Sequence, residues 1–326
     1  MNCSATSAMA CSRWRSRRDR VQSFHPDHLL LMNPLNILVA VDDTEASLHA
    51  CRLVAAYGGD WSTVRVILLN VQRPPLRLAP GFGVDHATLE AAAHELGGQA
   101  LEPARALLLA SGHNPELLVR IGPPADTILD VAQRYENCVL VMGSGRHGPL
   151  GGYAMGSVAL RVAPAAHCPV VLVRPGVQIP SALGVTLRVV APVDESPESA
   201  QAVQRLAQCS ERLGRVHVDL VHFRPGLTLA AAILPPHDDV LQEWSGKQSE
   251  AVLARAAEIL AAAGISHAVH DLVGDPKPGI AQFARSQKAD LIAMATRGSG
   301  AMHHLLIGSA ALQTAQLSDV PVAFMH

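Results

Sequence analysis

Unbroken apolar runs recur along this chain, each closed by a polar or small residue and each followed by a stretch with helical spacing. The first run covers 36–42, NILVAVD, and ends on Asp42. A run with no polar alternation predicts a parallel strand covered on both faces. Thr44 stands where a cap for the next helix is needed. Further runs predict strands over 64–71, 116–121, 138–142 and 169–173. An Ala/Leu-rich pattern over 88–111 predicts a helix, kinked at Pro103 and stopped by Gly112.

The whole pattern then repeats. Asp194 closes RVVAPVD as Asp42 closes its own run, at an offset of 152 residues (194 − 42). The same offset joins Gly122 to Gly274, Ile128 to Ile280, Met142 to Met294, Gly156-Ser157 to Gly308-Ser309, and Pro169 to Pro321. In the second copy strands are expected over 216–223, 267–273, 290–294 and 321–325, with a helix over 240–263 ended by Gly264. Ser196 followed by Pro197 is a plain helix start. A period far above the roughly 20–50 residues of solenoid units means that each copy should bury its own core. Alternating strands and helices predict an α/β fold: two tandem doubly wound domains, each a five-stranded parallel sheet of order 3-2-1-4-5 with helices on both faces. The domains are expected at 34–174 and 186–326, joined by a linker at 175–185. Strand five lies at a sheet edge and must be covered. The two copies are therefore expected to pair through 170–173 and 322–325 as an internal pseudo-dimer.

Composition sharpens this picture in three ways. With 49% hydrophobic and 17% charged residues among 326, the chain can fill two cores; with 3% aromatics, it must fill them with Val, Ile, Leu and Ala. No apolar run reaches the roughly 18–20 residues that span a bilayer, so a soluble protein is expected, and a net charge of −2 leaves no basic footprint for nucleic acid. Cys3, Cys11, Cys51, Cys138, Cys168 and Cys209 are scattered without a CxxC pair. Buried reduced thiols are the expectation, and with them a reducing, cytoplasmic compartment and no zinc or redox site. Residues 1–33 hold Arg13, Arg15, Arg17, Arg18 and Arg20 among Ser and Ala. They read as a disordered extension or an over-long start ahead of Met32, the alternative being an Arg-rich docking arm.

In a sheet of this order the ligand crevice opens past the carboxyl ends of strands one and four. The residues that look chemical fall there: Asp42 or Asp194 after strand one, and a Gly-rich loop after strand four. The loops read MGSGRHGPLGGYAMGSVA and MATRGSGAMHHLLIGSA. Here the chain resembles a tandem universal stress protein, whose ATP-binding members carry G-x2-G-x9-G-[ST]. The resemblance implies a Rossmann-like fold and a bound ATP or other adenine nucleotide. Its phosphates would lie on the loop glycines and the helix that follows. The implied contacts are Asp194, Phe223, Ala295, Gly298, Gly308 and Ser309 in the second copy, and Asp42, Val71, Gly143, Gly145, Gly156 and Ser157 in the first. Asp42 and Asp194, with the backbone at Val71 and Phe223, would hold the adenosine end. Both copies depart from the pattern: Arg146 stands where the first needs its second glycine, and Ala295 where the second needs its first. Alanine intrudes less than arginine, so the second copy is the favoured site.

Plainer roles stand beside these. The glycine turns could serve only to pack helix on sheet, with Ser157 and Ser309 as ordinary caps, and the aspartates could be turn formers. Arg146, His147, Arg297, His303 and His304 could offset phosphate charge or lie on a solvated face. The adjacent His303-His304 pair makes a poor metal site, and no metal is expected. No GxxxxGK[ST] loop is present, so no catalytic residue is assigned. The leading expectation is a stress-response regulator that binds adenine nucleotide. The alternatives are a nucleotide-free interaction module, homo-oligomers included, and a weak ATPase.

Overall fold

The computed structural model describes residues 34–56, 61–74, 86–147, 153–179, 186–224, 238–298 and 306–326. The expectation for residues 1–33 lies outside them. The first copy runs β1 (Leu35–Ala40), α1 (Glu45–Ala55), β2 (Val64–Gln72), α2 (His86–Ala110), β3 (Glu116–Ile121), α3 (Pro124–Ala132), β4 (Cys138–Gly143), a two-rung hairpin β5 (Arg146–His147) and β6 (Tyr153–Ala154), α4 (Ser157–Ala165) and β7 (Val170–Val173). The second runs β8 (Leu187–Pro192), α5 (Pro197–Leu213), β9 (Val216–Arg224), α6 (Asp238–Ala262), β10 (Ser266–Val273), α7 (Pro276–Ser286), β11 (Leu291–Met294), α8 (Ser309–Leu317) and β12 (Val322–Phe324).

Local chemistry explains most boundaries. Thr44 accepts the Ser47 N–H and Ser196 the Ser199 N–H, capping α1 and α5 as expected, with Pro197 opening α5. Gly112 and Gly264 take positive φ just past α2 and α6, the left-handed turn that lets a chain leave a helix. Helix α2 runs through Pro103 as one 25-residue element.

All ten long strands form one sheet, ordered β10-β9-β8-β11-β12-β7-β4-β1-β2-β3. Each half is the predicted 3-2-1-4-5. The halves join where β12 meets β7 antiparallel, with Val322 opposite Leu172, Ala323 opposite Val171 and Phe324 opposite Val170. This is the expected pairing of the two fifth strands, and every other neighbouring pair in the sheet is parallel.

The expectation of two separate cores holds on only one face of the sheet. There, α1 and α2 cover Val39, Leu68 and Val141, while α5 and α6 cover Val189, Leu220 and Ala293, as two distinct clusters. On the other face a single cluster runs through both halves, from Leu38, Ile67 and Leu140 across Val170 and Leu172 to Phe324, Ile292 and Val221. Phe324 is fully buried at the seam. Pairing the edge strands makes the sheet continuous, so the apolar layer between it and α3, α4, α7 and α8 becomes continuous too.

Candidate functional site

Each crevice is built outward from strand one. Val41 and Val193 donate their N–H groups to the carbonyls of Leu69 and Val221 at 2.8 and 2.9 Å, carrying the chain one residue past the strand. Their own carbonyls are held by buried strand-two side chains: Asn70 Nδ2 donates to Val41 O at 2.9 Å, and His222 Nδ1 to Val193 O at 2.8 Å. A carbonyl can only accept, so His222 carries its proton on Nδ1. Asn70 and His222 thus fix the peptide just before each aspartate. They were overlooked in the sequence, although a polar residue at the same place in both apolar strand-two runs was the available signal.

Each aspartate then turns back into its helix. Asp42 Oδ1 accepts from the Thr44 N–H at 3.1 Å and its hydroxyl at 2.5 Å. Asp194 Oδ1 accepts from the Ser196 N–H at 3.0 Å and from the Ser196 hydroxyl. Ser199 Oγ accepts the Asp194 N–H at 3.0 Å, which locks the turn from the helix side. One oxygen of each carboxylate therefore forms a turn. In the second half the other oxygen, Asp194 Oδ2, lies against Gly298 so closely that any Cβ at position 298 would collide with it. Turn formation and a place in the crevice are compatible roles for one side chain.

Gly308 adjoins the same point. Its N–H donates to Thr296 O at 2.8 Å, and a Cβ on it would lie 3.8 Å from Gly298 N. Asp194, Gly298 and Gly308 are thus brought together. Gly308 is the N-cap residue of α8 and has no side chain to offer, while Ser309 is the first helical residue. Gly156 and Ser157 stand likewise at α4. The reading of the two serines as helix caps is therefore incorrect, because the chain turns one residue earlier. Neither N-cap makes a side-chain bond, in contrast to Thr44 and Ser196. Orphan amides and a positive dipole end collect at such a helix start.

The first half is arranged differently. Gly145 has φ +91° and sits on the Ala154 carbonyl, where a Cβ would collide. Arg146 pairs with Ala154 in the β5–β6 ladder. Arg146 is not among the residues with positive φ, so no backbone strain attends the arginine there. In the second half, too, the glycine is required by closeness to Asp194 rather than by φ. Gly143 packs on the first turn of α1, at Ala46 and Ser47, and Gly156 touches Gly145. Ala295 is nearly buried in the second half's own core.

Val71 and Phe223 lie inside β2 and β9, each next to the last residue. Hydrogen-bonding direction alternates along a strand. Their main-chain groups therefore point the same way as those of Leu69 and Val221, toward the space past strand one. The Phe223 ring turns elsewhere and rests on Gly279. His326 lies near the second loop: burial pushes its imidazole down to about 4, and positive charge on Arg297, His167 and Arg205 acts in the same direction. His303 and His304 lie outside the described residues. Among the described residues no group of three His, Cys, Asp or Glu side chains is placed to hold a metal ion, and no helix is long and apolar enough to cross a membrane.

Both halves of the chain are similar to known proteins. The model of the universal stress protein family matches twice, over 35–174 and 186–326. Universal stress proteins from two strains of Mycobacterium tuberculosis, CDC 1551 / Oshkosh and H37Rv, are each 27% identical over 313 residues, covering 88% of this chain and 95% of theirs. A universal stress protein structure from Archaeoglobus fulgidus DSM 4304 superposes with a TM-score of 0.61 at 20% identity, covering 89% of this chain and 97% of its own. A putative universal stress protein from Pseudomonas aeruginosa UCBPP-PA14 gives 0.55 at 14%, covering 91% and 94%.

Proposed function

The chain belongs to the universal stress protein family, and we propose that its second half binds an adenine nucleotide, making the protein a nucleotide-responsive regulator of a cytoplasmic stress response. The observation that carries this is the meeting of Asp194, Gly298 and Gly308 beside a helix start with no side-chain cap. In this reading the phosphates lie against Gly308 on the amides that open α8 from Ser309 onward, where a helix terminus stabilises an anion by about 0.3–1 kcal/mol, and up to about 2 in a partly buried site. Asp194 accepts hydrogen bonds from the adenosine end, and the main chain at Phe223 lines the same wall, with Ala295 behind it. The first half offers Asp42, Val71, Gly143, Gly145, Gly156 and Ser157 as a weaker site, since Arg146 and its ladder to Ala154 occupy the loop.

Titration calorimetry of the full-length protein with ATP, ADP and AMP tests this, together with native mass spectrometry for co-purified ligand. Saturable heat abolished by Gly308→Val supports the reading. Absence of both heat and a ligand mass would leave the interaction module, which the seam between β7 and β12 favours. Phosphate release that tracks ATP binding would instead favour a slow ATPase.

A further inference from the structure

Cys138 and Cys168 lie 30 residues apart in sequence, yet the sheet sets them side by side. The β4–β7 register pairs Leu140 with Val170, and the ladder continues backward through the 2.9 Å bond from Leu140 N–H to Pro169 O. Cys168 immediately precedes Pro169 and Cys138 opens β4 two residues before Leu140, so the two are brought near one another where β7 begins. The two thiols are close enough for each to shift the other's titration. Both residues line a cavity of about 270 Å³ with Tyr135, Gln133, His167 and Arg205.

We propose that Cys138 and Cys168 are an oxidisable dithiol, with Cys168 as the peroxide-reactive thiol and Cys138 as the one that resolves it. Three features support the assignment of roles. Cys168 is partly exposed while Cys138 is buried, so an oxidant reaches Cys168 first. The hydrogen bond from Cys138 favours the Cys168 thiolate, and the Arg205 charge acts in the same direction, so Cys168 is held below the ordinary thiol range despite its burial. Cys138 is pushed up, by that same bond first and by burial second. Cys51 is a contrasting case: burial raises it to about 12 against the lowering pull of the Arg52 charge, which leaves it inert.

With hydrogen peroxide as oxidant, the Cys168 thiolate attacks one peroxide oxygen. The O–O bond breaks, and the departing hydroxide takes a proton to leave as water, giving a sulfenic acid. The Cys138 sulfur then attacks the Cys168 sulfur, the S–O bond breaks, and the hydroxide leaves as water with the proton that Cys138 gives up. In sum, two thiols and one peroxide yield one disulfide and two waters.

The test is peptide mapping of the reduced full-length protein after equimolar hydrogen peroxide, with remaining thiols alkylated before digestion. The expected result is loss of two alkylatable thiols, a Cys138–Cys168 linked peptide, and recovery of both on treatment with dithiothreitol. Cys138→Ser should stop Cys168 at the sulfenic acid, captured by dimedone. Should that variant not fold, the wild-type map decides alone. A map in which Cys138 and Cys168 stay alkylatable overturns the proposal, and so does a link from Cys168 to Cys209.

Discussion

The two copies keep one frame and fill it differently. On the face that shares a single core, the first half sets Ile67 and Leu118 under α3; at the same offset the second half sets Asp219 and His270 under α7. Asp219 is 2% exposed, accepts from His270 Nε2 at 2.9 Å, and faces Arg188 at 3.5 Å and His217 at 3.8 Å. His270 in turn meets the Phe283 ring edge-on at 4.8 Å between centroids. After strand four the contrast is reversed: the second half sets Gly298 against Asp194, while the first places Arg146 in a short ladder. Duplication therefore preserved the backbone scaffold and left the two polar positions free to diverge, one buried and one at the mouth.

The largest effect should come from exchanging the buried pair. Ile67→Asp leaves a charge without partners and should cost about 3–5 kcal/mol in denaturant unfolding. Asp219→Ile with His270→Leu, which copies the first half, should be near neutral or stabilising. A loss comparable to that of Ile67→Asp would show that the polar cluster does more than tolerate its burial. At the crevice, Gly298→Arg makes the second half resemble the first. Overpacking against Asp194 should weaken ATP binding roughly 10–100-fold by calorimetry, about 1–3 kcal/mol. Unchanged affinity would remove the reason for ranking the second half above the first.

Position 326 offers a pH test of the same contrast, because its counterpart is the always-charged Arg174. Folding lowers the His326 pKa from 6.5 to about 4, so its contribution is complete above 6.5 and is lost as pH falls toward 4. That loss should be roughly 1–2 kcal/mol after solvent screening, absent in His326→Asn and measured by thermal melts across the window. Smallest are the caps: Thr44→Ala and Ser196→Ala should each cost about 1 kcal/mol. Similar costs at both would confirm that the strand-one turn is the part the copies hold in common.

Strand order and the pairing of the fifth strands were legible because they follow from period, edge exposure and crossover handedness. The fused core was not, since whether two apolar faces merge depends on how far the seam aligns them. Asp194 was legible as the residue that closes strand one, but its contact with Gly298 was not: spacing along a loop does not report which side chain a glycine must clear. Asn70, His222 and Asp219 were passed over as polar interruptions in apolar runs. That Cys138 and Cys168 line one cavity was hidden by the helix between them, because spacing in sequence does not report which residues the β4–β7 pairing draws together.

The antiparallel seam also limits growth. An isolated single-copy domain would have one sticky margin at strand five, and here each copy satisfies the other's. That valency is spent within one polypeptide, so any larger assembly formed by strand addition must use the outer margins at β3 and β10, at the far ends of the ten-stranded ribbon.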